Sequence, residues 1–89
     1  MVITPSIGRV VWFYPAVRAS GDQPWAALVT YVWSDRLVNL AVFNPNGVQD
    51  GVTSVPLVQE NEENPAGMFC AWMPFQLGQA RREAERPGG

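Results

Sequence analysis

The stretch Trp25-Ala-Ala-Leu-Val-Thr-Tyr-Val-Trp-Ser-Asp-Arg-Leu-Val-Asn-Leu-Ala-Val-Phe43 places two apolar runs on either side of the polar residues Ser34-Asp35-Arg36. Both runs are rich in β-branched and aromatic residues, which is typical of β-strands. Because the polar connection is so short, the runs at 25–33 and 37–43 must pair as an antiparallel hairpin. The rest of the predicted fold is built outward from this hairpin.

Three further strands are predicted at 8–14, 52–58 and 68–73, the last of them ended by Pro74. Asn44-Pro45-Asn46-Gly47 predicts a type I turn with a glycine bulge between the third and fourth strands. Asp50-Gly51 predicts a second bulge. Residues 79–86 have helix-forming composition and predict a frayed helical turn, and Pro87-Gly88-Gly89 predicts a disordered end.

These elements predict an all-β fold, a small five-stranded antiparallel SH3-like barrel with a short C-terminal helical turn. A small open sandwich is the alternative. A chain of 89 residues is long enough for one domain and too short for two. We therefore expect a single barrel domain at 1–79 and a polar tail at 80–89.

The strand faces indicate where the core lies. Alternation along the third strand places Val38, Leu40 and Val42 on one face, which we take as the core face. The second strand has no polar face, since one side carries Trp25, Ala27, Val29, Tyr31 and Trp33 and the other carries Ala26, Leu28, Thr30 and Val32. The four Trp, four Phe and two Tyr of the chain exceed what so small an interior holds, so some aromatics should face a ligand or a partner subunit. The alternative is that all of them build a dense core.

The residue types limit the chemistry. The chain has no histidine and no lysine, which excludes the usual general bases near neutral pH, Schiff-base chemistry and Ser-His or Cys-His nucleophiles. Asp35 and Asp50 are predicted to be hydrogen-bond acceptors in turns, and the single Cys70 a small buried residue. The acidic segment 60–64 lacks the spacing of a calcium loop. We expect a protein that is not an enzyme and that holds no metal or cofactor.

Charge and hydropathy limit the partners. Residues 1–79 carry three arginines against six acidic residues, a formal charge of 3 − 6 = −3, which disfavours a protein that follows the phosphates of duplex nucleic acid. No apolar run approaches the length of a membrane span, and the N-terminus has no basic region followed by an apolar core, so we expect no secretion. These features predict a soluble cytoplasmic protein that contacts neither duplex nucleic acid nor membrane.

Arginine together with aromatic residues is the remaining candidate for a binding site. A guanidinium binds phosphate bidentately, and an indole or phenol ring stacks on a nucleobase. The candidate ligand-binding residues are Trp12, Tyr14, Tyr31, Trp33 and Arg36, with Asp35 and Asn39 as hydrogen-bonding groups. The alternative for Arg36 is a solvated side chain, or one paired with the neighbouring Asp35.

Four segments of the chain are specific as strings. They are Gly8-Arg-Val-Val-Trp-Phe-Tyr14, Val32-Trp-Ser-Asp-Arg-Leu-Val-Asn-Leu-Ala-Val-Phe43, Thr53-Ser-Val-Pro-Leu57 and Ala71-Trp-Met-Pro-Phe-Gln76. Through these segments the chain, over roughly residues 7–80, resembles a family of small proteins encoded by tailed bacteriophages. The resemblance implies a host bacterial cytoplasm during infection and brings no site residues with it.

By analogy with other compact phage accessory proteins, we expect an anti-defence sponge, a homo-oligomer that sequesters a cyclic nucleotide or cyclic ADP-ribose signal. That step is analogy, because fold does not imply function. The alternative is a protein-binding accessory, either an inhibitor of a host enzyme or a small virion or assembly component. A weak binder of single-stranded nucleic acid is a third hypothesis, and the negative charge disfavours it.

Overall fold

The computed structural model describes residues 2–85. It contains five strands, β1 (Val10–Tyr14), β2 (Trp25–Ser34), β3 (Leu37–Phe43), β4 (Gln49–Val58) and β5 (Phe69–Ala71), followed by the helix α1 (Pro74–Glu85). All five predicted strands are present, with different ends for four of them. The prediction of a disordered end at 87–89 lies outside the described residues.

The strands form a closed barrel in chain order, with β5 between β1 and β4. Four neighbouring pairs are antiparallel, but β4 and β5 run parallel. The prediction of an antiparallel barrel is therefore wrong for this pair. Strand directions can alternate around a closed ring only when the number of strands is even. A closed barrel of five strands must include a parallel pair, and residues 59–68 carry the chain back so that β5 can run beside β4.

The barrel interior is filled by alternate residues of the strands. The prediction that Val38, Leu40 and Val42 face the core is confirmed, since each is at most 2% exposed. The other strands and the residue after β5 complete the core with Val11, Phe13, Ala27, Val29, Val55, Leu57, Cys70 and Trp72. Cys70 is buried as predicted, and burial raises the pKa of its thiol to about 12. The sulfur is therefore a neutral, apolar core group at pH 7.

The turn between β3 and β4 has the geometry that its sequence predicts. The Gly47 amide donates to the Asn44 carbonyl at 2.8 Å, and Gly47 has a φ of 81°. The Asn44 side-chain oxygen accepts from the amides of Asn46 and Val48. A side chain at position 47 would be strained at this φ, which explains the glycine.

Helix α1 begins five residues earlier than predicted. Pro74 occupies its first position, where the missing amide costs no helical hydrogen bond. The Gln76 side chain accepts from the Met73 amide at 2.8 Å, which is one half of a capping box. Leu77 packs against the barrel core, and Arg81 pairs with Glu60. Among residues 2–85, this helix is too short and too polar to cross a lipid bilayer, and no other helix qualifies.

Gln59, at the end of β4, is the buried polar residue of the described core, at 3% exposure. Its side-chain oxygen accepts from the Ile3 amide and from Trp72 Nε1, both at 3.0 Å. Its side-chain nitrogen donates to the carbonyls of Ile3 at 3.0 Å and Asp35 at 2.7 Å. One carboxamide therefore joins the N-terminal segment, the β2–β3 hairpin and the residue that follows β5.

Replacing Gln59 should destabilise the whole barrel. Gln59→Leu keeps the apolar stem but leaves the Trp72 N–H buried without an acceptor and removes three further hydrogen bonds. Each unsatisfied buried group costs about 1–3 kcal/mol, so we expect a loss of about 2–4 kcal/mol in the free energy of unfolding, measured by urea denaturation. Gln49→Leu, at an exposed position of β4, is the matched control and should change stability by less than about 0.5 kcal/mol. Equal midpoints for the two variants would contradict the role assigned to Gln59.

Candidate functional site

The seven predicted ligand-binding residues lie in two separate places. Tyr31, Trp33 and Asn39 are neighbours on the outside of β2 and β3, and Asp35 and Arg36 form the tip of the same hairpin. Trp12 and Tyr14 lie on β1, where Trp12 pairs with Ala26. Trp33 is seven residues further along β2 than Ala26, roughly 20 Å at the rise of a strand. The structure therefore does not bring the β1 aromatics to Trp33.

A register shift in β2 turns its aromatic residues outward. Pairing with β3 shifts between Val29 and Tyr31 and again between Val32 and Ser34. Simple alternation places Tyr31 and Trp33 on the same face as the buried Ala27 and Val29. The first shift reverses this facing, so that Val32 lies opposite the buried Val38, and Tyr31 is 48% exposed and Trp33 58% exposed. β-Bulges re-aim side chains in this way and are frequent beside functional sites.

Asn39 fixes the position of the exposed indole. Its side-chain oxygen accepts from Trp33 Nε1 at 3.0 Å and from the Ser54 amide at 2.8 Å. Tyr31 packs edge-on against Trp33, with ring centroids 4.7 Å apart and an interplanar angle of 68°. We call Tyr31, Trp33, Asn39 and Ser54 the Trp33 site. It presents a large aromatic ring that is held from two sides and open to solvent.

Ser54 has a backbone conformation that is uncommon for its residue type. Its φ is 54°, in the left-handed region, and the β3–β4 register shifts beside it, between Val38 and Leu40. The predicted bulge at Asp50-Gly51 is wrong, because Gly51 pairs regularly with Ala41 and the irregularity lies at 53–54. Strained backbone persists where surrounding contacts hold it, and it clusters at binding sites. Here the hydrogen bond to Asn39 holds it.

Asn39 also supplies a free donor to the site. Within the described part of the chain, no hydrogen bond engages its side-chain nitrogen. With its oxygen committed to Trp33 and Ser54, the amide group is fixed in one orientation and its N–H groups remain available. A planar ligand stacked on Trp33 can accept a hydrogen bond from them. This combination of a flat apolar surface and one oriented donor is suited to a heteroaromatic ring.

Arg36 is paired with Glu62 and not with its neighbour Asp35. Arg36 Nε and Nη2 lie 2.8 and 2.7 Å from the same carboxylate oxygen. The other Glu62 oxygen accepts from the Gln59 amide at 3.0 Å. The hydrogen bond and charge of Glu62 raise the pKa of Arg36, and the hydrogen bond from Arg36, followed by that from the Gln59 amide, lowers the pKa of Glu62. Both side chains remain well exposed, so the pair is open to competition from another anion.

Tyr14 belongs to a separate cluster around Phe69. Their rings stack with centroids 4.6 Å apart, and the Arg18 guanidinium lies 5.0 Å from the Phe69 centroid. Arg18 donates to the carbonyls of Pro15, Gly67 and Pro65. This arginine therefore joins the β1–β2 loop to the segment before β5. We assign the cluster a structural role.

Two rows of residues on the outer side of β1, β2 and β3 are apolar. Register places Trp12, Ala26 and Phe43 in one row and Val10, Leu28 and Ala41 in the next. Val10 is 41% and Leu28 37% exposed, and no charged residue lies in either row. We call these six residues the outer face. The lack of a polar face on β2 is the sequence feature that indicates an exposed apolar surface. Val10 and Leu28 were nevertheless not among the predicted site residues.

Comparison of the chain with protein-family models, with curated proteins and with solved structures finds no match in any of the three.

Proposed function

We propose that the protein is a non-enzymatic sponge that binds a nucleotide-derived signal at the Trp33 site. The observation that carries this proposal is the exposed indole of Trp33, held in place by Asn39 and by the edge of Tyr31. An exposed tryptophan that is already fixed loses little conformational freedom when a ligand stacks on it. Such preorganisation favours a binding role for the residue.

In the proposed complex a nucleobase stacks on Trp33 and accepts a hydrogen bond from the Asn39 side-chain nitrogen. Arg36, three residues along the hairpin, leaves Glu62 and binds a phosphate of the ligand. The exchange is favourable because an exposed ion pair contributes little, whereas a guanidinium binds phosphate with two parallel charge-assisted hydrogen bonds. Glu62 keeps its hydrogen bond from the Gln59 amide after Arg36 moves.

The non-enzymatic part of the proposal is supported by the positions of the polar groups. Cys70 is buried, with a pKa of about 12, and is not a thiolate near neutral pH. Asp50 pairs with Val42, whereas Asp35 precedes Leu37 at the other end of β3, so about 16 Å of strand separates Asp50 from the hairpin tip that carries Asp35. That separation does not suit a shared acid and base.

The wider setting is also a proposal. The resemblance to phage proteins supports an anti-defence role in the cytoplasm of an infected bacterium. The strand order, in which β5 pairs with β1, supports an SH3-like class for the barrel. The parallel β4–β5 pair departs from a fully antiparallel barrel. A homo-oligomer would cover the ring face of Trp33 that a bound base leaves open.

Trp33→Leu should abolish ligand binding and leave the barrel intact. A panel of cyclic dinucleotides and cyclic ADP-ribose is screened by thermal shift. A ligand at 100 times its Kd adds about 2.7 kcal/mol to the free energy of unfolding of the wild-type protein. Base stacking on an aromatic ring contributes about 1–3 kcal/mol, so the variant should lose most of the shift. Trp12→Leu, a tryptophan on β1 away from the site, should retain it. No shift with any ligand for the wild type would reject the proposal.

Glu62→Gln should strengthen binding, and Arg36→Ala should weaken it. The glutamine keeps an acceptor for the Gln59 amide but removes the charge that competes for Arg36. We expect several-fold changes in Kd of opposite sign, measured by calorimetry. Glu63→Gln, the adjacent exposed carboxylate, is the control for net charge and should have a much smaller effect. If Glu62→Gln and Glu63→Gln alter Kd equally, Arg36 does not bind the phosphate.

A second function, binding of a host or virion protein, is favoured by the outer face. Its two uncharged rows continue along β2 towards Tyr31 and Trp33, and exposed apolar patches of this kind mark interaction surfaces. Single-stranded nucleic acid is a weaker candidate, because the formal net charge of the chain is −2.

If the outer face binds a protein, the wild type should capture one host protein from lysate in a stoichiometric amount. The Leu28→Arg variant should not capture it. Asn64→Arg introduces the same charge at an exposed position between β4 and β5, away from the outer face, and should retain the partner. Capture that is equal for both variants would exclude the outer face as the interface.

A further inference from the structure

A cleft of about 460 Å³ lies between the N-terminal segment and helix α1. Its apolar wall consists of Val2, Ile3 and Ala80. It shares no residue with the Trp33 site. The volume lies within the range of about 300–1,000 Å³ that small-molecule pockets occupy.

Two features make the cleft a stable surface. The Ile3 backbone is held at both its N–H and its C=O by the buried Gln59 side chain. The Gln76 side chain, which also lines the cleft, donates to the Val10 carbonyl at 2.7 Å and accepts from the Met73 amide at 2.8 Å. The walls on either side are therefore fixed to the barrel.

Arg9 contributes a positive charge that the described residues leave uncompensated. Its guanidinium lies over the Trp72 ring, 5.4 Å from the centroid, and it has no hydrogen bond or ion pair with the described side chains, which end at Glu83. Trp72 is in turn held by its hydrogen bond to Gln59 at 3.0 Å. Stacking orients the guanidinium and leaves its N–H groups free to bind a carboxylate bidentately.

Glu83 contributes the opposite charge to the same cleft. It lies on α1 one turn beyond Ala80, at i+3 spacing, so both residues share a helix face. No ion pair joins Glu83 to Arg9 or to any other residue within the described chain. A cation and an anion without an ion-pair partner among the described side chains thus line one cleft together with apolar residues.

We propose that this cleft binds a zwitterionic ligand of the amino-acid or short-peptide class. The carboxylate of the ligand binds Arg9, its ammonium group binds Glu83, and its apolar side chains pack on Val2, Ile3 and Ala80. Two charges that no described side chain pairs in the free protein are both paired in the complex. A ligand with only one of the two charges pairs only one of them, so the site discriminates by charge at both ends.

The test is a calorimetric or NMR titration with leucyl-leucine and two modified forms, N-acetyl-leucyl-leucine and leucyl-leucinamide. We expect saturable binding of leucyl-leucine and roughly tenfold weaker binding of each modified form, a factor that corresponds to about 1.4 kcal/mol. Glu83→Gln should remove the difference between free and acetylated peptide. Arg9→Gln should remove the difference between acid and amide.

The control variants separate this site from general charge effects and from the Trp33 site. Arg82→Gln and Glu63→Gln make the same charge changes outside the cleft and should retain both differences. Arg9→Lys keeps the charge but not the bidentate geometry and should bind leucyl-leucine with intermediate affinity. This variant tests the role of Arg9 if Arg9→Gln fails to fold. Trp33→Leu should bind the dipeptide normally. Absence of saturation up to about 10 mM, equal binding of the three peptides, or discrimination that survives Glu83→Gln would each overturn the proposal.

Discussion

The carboxamide of Gln59 connects parts of the chain that the strand ladders alone do not join. It has no remaining donor or acceptor to offer, because its four hydrogen bonds go to the N-terminal segment, the β2–β3 hairpin and Trp72. Both proposed sites depend indirectly on Gln59. The backbone amide of Gln59 positions Glu62 beside Arg36, and the Gln59 side chain fixes the Trp72 indole over which Arg9 lies. A buried polar group of this kind is tolerated only when it is fully satisfied.

The Trp33 site results from irregularity in otherwise regular strands. The register shift of β2 between Val29 and Tyr31 reverses the facing of the residues that follow it, and the left-handed backbone at Ser54 brings an amide to Asn39. Regular alternation would direct Trp33 towards the interior. The shift therefore leaves an aromatic ring exposed on the outside of the barrel, where Asn39 and Tyr31 hold it in place.

Much of the fold follows from short-range patterns. The central hairpin, the Asn44–Gly47 turn and the core face of β3 were predictable because turn residues and alternation act locally. The start of α1 was missed because a proline after an apolar run predicts the end of a strand, whereas β5 ends at Ala71 and Pro74 is the first residue of the helix. Residue type was enough to identify Tyr31, Trp33 and Asn39 as candidate ligand-binding residues. Their convergence, and the pairing of Arg36 with Glu62, depend on register shifts and on contacts between residues 26 positions apart, which no local pattern reports.

The parallel pairing of β4 with β5 has a consequence for folding. Strands β1 to β4 follow one another through local connections, so they can pair early, whereas β5 must wait for the crossover of residues 59–68. Its three residues, Phe69–Ala71, then cover the free edges of both β1 and β4. Until they do, the chain is an open sheet with two unpaired edges, the state in which strands of separate molecules exchange or aggregate. The shortest strand of the barrel is thus its main protection against self-association through open edges.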